Sequence, residues 1–280
     1  QKGKAFNAHY QAQGFHPLMV FDGMTGDCLK VELRAGNVYT SRNIVSFIGP
    51  LLSHYQKRFP SSYRIVRGDS GFAHKELYKL CETLNTNYVI RLKANATLYR
   101  LAKEVMDVFL EECSLQYSQQ FYGEFEYQAK SWDRPRRVIV QVRRKAGELI
   151  PDYLFLVTNM ETRPEMVISL YAKRGTMENY IKECKNGFRM DKVSHKHWMT
   201  NVNRIQLMVL AYNLINGFRR LTLPHEFSKM QIETLRIKLI KIAAKRVKQS
   251  RRIMFKLCSH HPYKEVFHHC LKTIQAIQLE

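Results

Sequence analysis

Acidic residues are scarce in this chain. Over 280 residues, 24 Asp and Glu stand against 45 Lys and Arg, for a formal net charge of +21. That imbalance favours a polyanionic partner, either nucleic acid or an acidic membrane surface. The basic residues are spread along the whole chain instead of being gathered in one amphipathic helix, which favours nucleic acid. Long apolar runs are missing too. Ile205 to Ile215 is the greasiest stretch, but Gln206 and Asn213 interrupt it, and nothing approaches the roughly 18–20 residues that span a bilayer. No signal peptide is visible. Six cysteines (Cys28, Cys81, Cys113, Cys184, Cys258, Cys270) form no C-x-x-C pair and no even framework. They are expected to be reduced thiols in a cytoplasmic protein. Cys258, His260, His261, His268, His269 and Cys270 match no zinc-finger spacing, and adjacent histidines point to different sides of an element. There is no internal repeat and no low-complexity segment.

With 45% hydrophobic residues, the chain can bury a sizeable core, as one large domain or a domain with an insertion. His16–Asp22 and Cys28–Arg34 flank turn residues and predict a β-hairpin. A helix is expected over Ile44–Tyr55, capped by Thr40 or Ser41 and disturbed at Pro50. Tyr63–Arg67 reads as a strand ending in Gly68-Asp69-Ser70-Gly71. A helix over Leu77–Leu84 and a strand over Tyr88–Leu92 follow, then a helix from Ala96 to about Glu112. Gly123–Trp132, Arg136–Arg144 and Tyr153–Thr158 are expected strands. From Pro164 one helix is expected to run through Lys185 and stop at Asn186-Gly187. A second runs from Met199 to Arg220, with Leu207–Leu214 expected in the core. Ile253, Phe255 and Leu257 alternate, and a last helix follows Pro262. Strands alternating with helices imply a layered α/β sheet. Trp132 and Trp198 are expected to pack in the core.

Tyr171, Arg174, Glu178 and Lys185 are spaced Y-x2-R-x3-E-x6-K. On a continuous helix all four fall within roughly 60° of arc. The carboxylate could hold a hard divalent cation, and the other three could hold phosphate oxygens. Met177, Tyr180, Ile181, Cys184 and Phe188 form the adjacent apolar arc, which places the stripe on the border between core and solvent. Asp69 lies at the end of a strand, where α/β sheets usually place their chemistry. Gly68 and Gly71 would let a phosphodiester and a metal approach the backbone. Equally, Gly-Asp-Ser-Gly can be a plain turn with an Asp cap.

The segment YAKRGTMENYIKECKNG resembles the signature of DDE-type transposases of bacterial insertion sequences, in the subgroup with a β-rich insertion. IVRGDSGF resembles that family's second-acid motif. The resemblance covers nearly the whole chain and implies a ribonuclease-H-like (retroviral-integrase-like) fold: a mixed sheet of three strands, helix, strand, helix, strand, helix. By it, residues 1–95 form the first part of the core, 96–160 the inserted β-rich region, 161–220 the helices carrying the last acid, and 221–280 a basic C-terminal region. Asp69 and Glu178 would be the second and third metal-binding catalytic acids, holding Mg2+ or Mn2+ as a pair of ions. Tyr171, Arg174 and Lys185 would contact phosphates at the element's end. The first acid is expected on a central strand upstream of Gln1, so that this chain would be inactive alone. Asp22 and Asp27 are expected to be turn residues.

The activity so implied is hydrolysis of a phosphodiester at the transposon end and strand transfer into target DNA, by a homodimer or higher oligomer associated with the nucleoid. Arg91 and Lys93, on the strand after Asp69, would line the same cleft and bind DNA with Lys182; Arg67 is a weaker candidate. Lys229–Lys256 carries ten Lys and Arg and one acid, Glu233, and could grip flanking DNA or be a solvated face. Two other readings stay open: a structure-specific nuclease of the same fold, and a non-catalytic DNA-binding remnant.

Overall fold

A computed structural model describes residues 3–7, 11–111 and 116–278. Cys113 and Glu112 lie outside the described residues. Along the chain the elements are β1 (Ala5–Asn7), β2 (Ala12–Gly14), β3 (Leu18–Phe21), β4 (Cys28–Glu32), α1 (Ile44–Arg58), β5 (Ile65–Gly68), α2 (Lys75–Thr83), β6 (Asn87–Leu92), α3 (Ala96–Glu111), β7 (Gln119–Tyr127), β8 (Arg136–Arg144), β9 (Asp152–Thr158), α4 (Pro164–Ala172), α5 (Gly175–Phe188), α6 (Trp198–Thr222), α7 (Ile232–Leu235), β10 (Ala244–Gln249), β11 (Arg252–Leu257) and α8 (Lys264–Ala276). They form two compact units. One is Val38–Gly175; the other is discontinuous and joins Gln1–Asn37 to Thr176–Glu280.

The Val38–Gly175 unit is built on a five-stranded mixed sheet in the order β5-β6-β9-β8-β7. β5 and β6 are parallel and the other pairings antiparallel. The stretch expected as a β-rich insertion thus adds its three strands to the sheet that β5 and β6 begin. β8 and β9 are rich in β-branched and aromatic residues, which suit a pleated surface covered on both faces. Val89, Ile139 and Leu156 point to α4, against Val167, Ile168 and Tyr171. On the opposite face Tyr78 of α2 stacks on Tyr88 at 5.1 Å, and Tyr99 of α3 meets Phe155 at 5.7 Å. Gly123 lets α3 approach: a Cβ there would lie 2.9 Å from Met106 Sδ. Pro50 does not interrupt α1, and the cap is Asn43 in a left-handed conformation (φ 59°) instead of Thr40 or Ser41. Asn adopts that region more readily than most residues.

In the discontinuous unit β3 and β4 form the expected hairpin, a two-stranded sheet of its own. Asp22 and Asp27 are turn residues, as expected. Asp22 Oδ1 accepts the Met24 amide at 2.8 Å, and Asp27 pairs with Arg220 at 3.1 Å. The hairpin packs on α5 and α6 through Cys28, Val31, Leu33, Cys184, Ile205, Val209 and Tyr212. Asn213 fastens it by accepting from the Cys28 amide and donating to the Cys28 carbonyl, at 2.8 and 2.9 Å. Glu183 and Arg219 pair at the other end of these helices, and Glu183 also takes the Ile232 amide at 2.8 Å.

Two expectations about the helices fail. The leucines of α6 are on the surface: Leu207, Leu210 and Leu214 are 67%, 56% and 64% exposed. The core takes the other arc, Ile205, Val209 and Tyr212. The helix from Pro164 to Lys185 is two helices, α4 and α5, parted at Lys173 and Arg174. The Arg174 amide bonds the Tyr171 carbonyl at 2.8 Å, a tight closing turn, and Gly175, a poor helix former, follows. No helix of the described residues is long and apolar enough to cross a membrane.

Candidate functional site

β5 delivers Asp69 at its C-terminal end. The backbone there is extended (φ −78°, ψ −176°), and Asp69 begins a single turn over Ser70–Phe72. Its Oδ1 accepts the Gly71 amide at 3.0 Å, and its main-chain oxygen accepts the Phe72 amide at 3.0 Å. Asp69 is therefore a turn cap, but its second oxygen is turned elsewhere. Oδ2 takes Arg174 Nη2 at 3.1 Å, with the Asp69 side chain 41% exposed.

The flanking glycines serve this turn. A Cβ on Gly68 would lie 3.1 Å from Phe72 Cβ, and one on Gly71 would lie 3.0 Å from Thr40 Cβ and 3.1 Å from Asp69 Oδ1. On the side where each Cβ would stand, protein atoms already fill the space. The glycines are needed because the turn folds tightly on itself.

Arg174 reaches Asp69 because α4 ends beside β5. Arg67, two residues before Asp69, donates to the Leu170 carbonyl at 2.9 Å. That carbonyl is among the last four of α4, which lack partners within the helix and carry its negative dipole end. Arg67 thus caps α4 and holds the next residues against the end of β5. Tyr171 is 9% exposed within the apolar cluster under α4. It packs in the core instead of joining a wet stripe. Arg91 and Lys93, at and just beyond the end of β6, are exposed.

The remaining candidates lie on α5, in the other unit. Glu178 is in its first turn and Lys185 in its last. Glu178, Lys182 and Lys185 are all exposed, while Cys184 and Gly187 on the opposite side are buried. At 100° per residue these three fall within about 60° of arc, so this part of the expected stripe survives the break. Glu178 at a helix N-terminus and Lys185 at its C-terminus also suit the helix dipole.

Asp69 offers what a hard cation takes, a partly exposed carboxylate oxygen. Among the described residues, however, no three His, Cys, Asp or Glu side chains come together as a metal-holding group. An ion at Asp69 would draw on few protein oxygens and keep waters or substrate oxygens, as Mg2+ commonly does. It would also compete with Arg174 for Oδ2.

One cluster escaped the sequence reading. Arg136, 3% exposed at its side chain, donates to Glu82 at 3.0 and 3.2 Å and to Asp133 at 3.1 Å, and lies 5.2 Å from the Tyr78 ring centre. Glu82 also takes the Tyr88 hydroxyl at 3.0 Å and Arg134 at 2.9 Å. Burial by itself would raise the Glu82 carboxyl, but hydrogen bonds from Arg136, Tyr88 and Arg134 outweigh it and hold the group below its ordinary value. Burial pushes the Tyr78 and Tyr88 hydroxyls up. The signal was present: Arg136 shares the strand phase of Val138, Val140 and Val142, all buried. Its role is structural. Trp132 packs here at 5.3 Å from Tyr78, and Trp198 meets Phe15 at 5.7 Å.

Compared with known families, residues 1–279 match the family described as transposase DDE domain group 1. A search of curated proteins found no match.

Proposed function

The chain belongs to the transposase DDE domain family, group 1, and from that premise we propose that it is the catalytic domain of a DNA transposase with a ribonuclease-H-like fold. Its reaction is metal-dependent cleavage of a phosphodiester at a transposon end, followed by transfer of the freed 3′-hydroxyl into target DNA. The observation that carries the reading is the anchored carboxylate of Asp69. It sits at a strand end within the expected motif, is oriented through both oxygens, and keeps contact with solvent. The Y-x2-R-x3-E-x6-K spacing supports Glu178 as a second acid.

In this reading Asp69 and Glu178 are ligands for Mg2+ or Mn2+. When bound, such an ion lowers the pKa of water and neutralises charge on the phosphoryl group. Arg174 orients Asp69, and Arg67 orients the end of α4, just before Arg174. Arg91, Lys93, Lys182 and Lys185 are exposed cations available to phosphate oxygens. Tyr171, buried, supports the α4 end. Assembly as a dimer or higher oligomer on two DNA ends goes with this proposal.

The test is incubation of the full-length protein with Mg2+, element-end DNA and a target plasmid. Cleavage and joined product are expected. Glu178→Gln and Asp69→Asn should abolish both while leaving DNA affinity within a few-fold, since binding rests on Lys and Arg. Cleavage without joining would replace the transposase by a nuclease, and DNA binding with neither would leave a DNA-binding remnant. Full cleavage by Glu178→Gln would remove that residue from the site.

A further inference from the structure

β10 and β11 form a two-stranded antiparallel ribbon that, among the described residues, pairs with no other strand. Every residue of β11 is exposed, as is every residue of β10 except the half-buried Val247. Between Ala244 and Leu257 the ribbon carries six cations (Lys245, Arg246, Lys248, Arg251, Arg252, Lys256) and no acid. Among the described residues none of the six makes an ion pair. Lys245 stands directly across from Lys256, a like-charge pairing that destabilises a ribbon. An isolated two-stranded hairpin is marginal in water even without that burden. The element is therefore incomplete energetically in a way that a polyanion would relieve.

We propose that this ribbon is a DNA-gripping arm, a surface additional to the catalytic carboxylates, that holds the phosphates of duplex DNA. The proposal rests on the reading of the chain as a DNA-processing enzyme. Two features favour duplex DNA over a bilayer surface. Pairing places Arg246 and Lys248 on one face with Ile253, Phe255 and Leu257, and Lys245, Arg252 and Lys256 on the other with Val247 and Met254. Cations and apolar groups thus occupy both faces, whereas an element lying in a membrane interface keeps its apolar groups on one. In a DNA groove both sides of a ribbon can meet phosphate. The size also fits: two strands about 4.8 Å apart and about 20 Å long match a major groove about 12 Å wide, which admits a two-stranded ribbon.

The experiment measures duplex DNA binding by the full-length protein across a series of salt concentrations. It compares wild type with the triple variant Lys245→Gln, Arg252→Gln, Lys256→Gln and with Lys245→Arg, Lys256→Arg. Each phosphate contact contributes about 0.9 to the slope of log affinity against log salt. The Gln variant should therefore lose about 2.7 from the slope and roughly several hundredfold in affinity at 0.1 M salt. The Arg variant should match wild type, and thermal melting should show all three folded. If wild type binds DNA and the folded Gln variant keeps its slope and affinity, the arm is refuted while the transposase reading stands. If wild type binds no duplex DNA, that reading falls as well. An Ile253→Ser, Phe255→Ser variant that dissolves a wild-type dimer, with the Gln variant's DNA binding intact, would assign the ribbon to a second copy. Wild-type binding to anionic vesicles, lost in the Gln variant while DNA binding is kept, would assign it to a membrane.

Discussion

Replacing Arg136 with methionine would leave Glu82 partly dry and without its principal partner. Glu82 is 18% exposed at the side chain, and its two oxygens each take a guanidinium nitrogen of Arg136. Removing one member of a buried pair costs about 3–5 kcal/mol. Arg134, still 2.9 Å from Glu82, and the Tyr88 hydroxyl would offset part of this, which places the expected loss at about 3 kcal/mol. Replacing both residues, Arg136→Met with Glu82→Leu, should recover most of it, because no stranded charge remains. The chain has two tryptophans, Trp132 in this cluster and Trp198 in the other unit. In a Trp198→Phe background, emission therefore follows unfolding of the Val38–Gly175 unit alone. A urea titration should show a lower midpoint for Arg136→Met at an unchanged slope. The acid response has a definite sign. Glu82 is held below its unfolded value of about 4.3, so its stabilisation is complete above that pH and disappears as pH falls through the folded value. Wild type should outlast Glu82→Gln at neutral pH and lose that advantage in acid below about pH 4. A loss under about 1 kcal/mol for Arg136→Met, or an advantage that persists in acid, would refute the buried-pair reasoning.

Other perturbations probe the discontinuous unit and the thiols. Gly187→Ala would place a Cβ 2.2 Å from Ile232 Cγ2 and should cost about 1–3 kcal/mol by overpacking; Ile232→Ala in the same chain should recover part of it, as read by tryptophan emission from Trp198. Burial pushes the Cys28, Cys81 and Cys184 thiols up to about 12, whereas Cys258 is exposed. Peptide mapping after a brief thiol-reagent pulse at pH 8 should find Cys258 modified and those three protected until denaturant is added.

The main sheet was legible because its strands announce themselves. β8 and β9 are dense in Val, Ile, Leu and aromatics, and Asp69 stands where a short apolar strand meets glycine. The family was legible from two motifs, and the match over residues 1–279 bears it out. The break between α4 and α5 was not. The helix closes in a tight turn at Tyr171–Arg174 before Gly175, and helical periodicity carries no trace of the turn or of the distant Asp69 that Arg174 meets there. α6 misled for a related reason. Apolar residues lie on two arcs of that helix, and a sequence cannot say which arc meets the hairpin. β10 reads as a basic loop, since Val247 is the lone large apolar residue in Ala-Lys-Arg-Val-Lys-Gln. Only its pairing with β11 makes it a strand.

The discontinuity of one unit sets an order of events during synthesis. Val38–Gly175 is continuous in sequence, so its five-stranded sheet needs no residue made later than Gly175. The β3–β4 hairpin does, because its anchor, Asn213, follows Cys28 by 185 residues. At about 5–20 residues per second, that gap is roughly 10–40 s, during which Val31, Leu33 and Phe21 have no surface to cover them. The β3–β4 hairpin is thus made well before the helix that anchors it, and it spends that interval as a natural client for a chaperone.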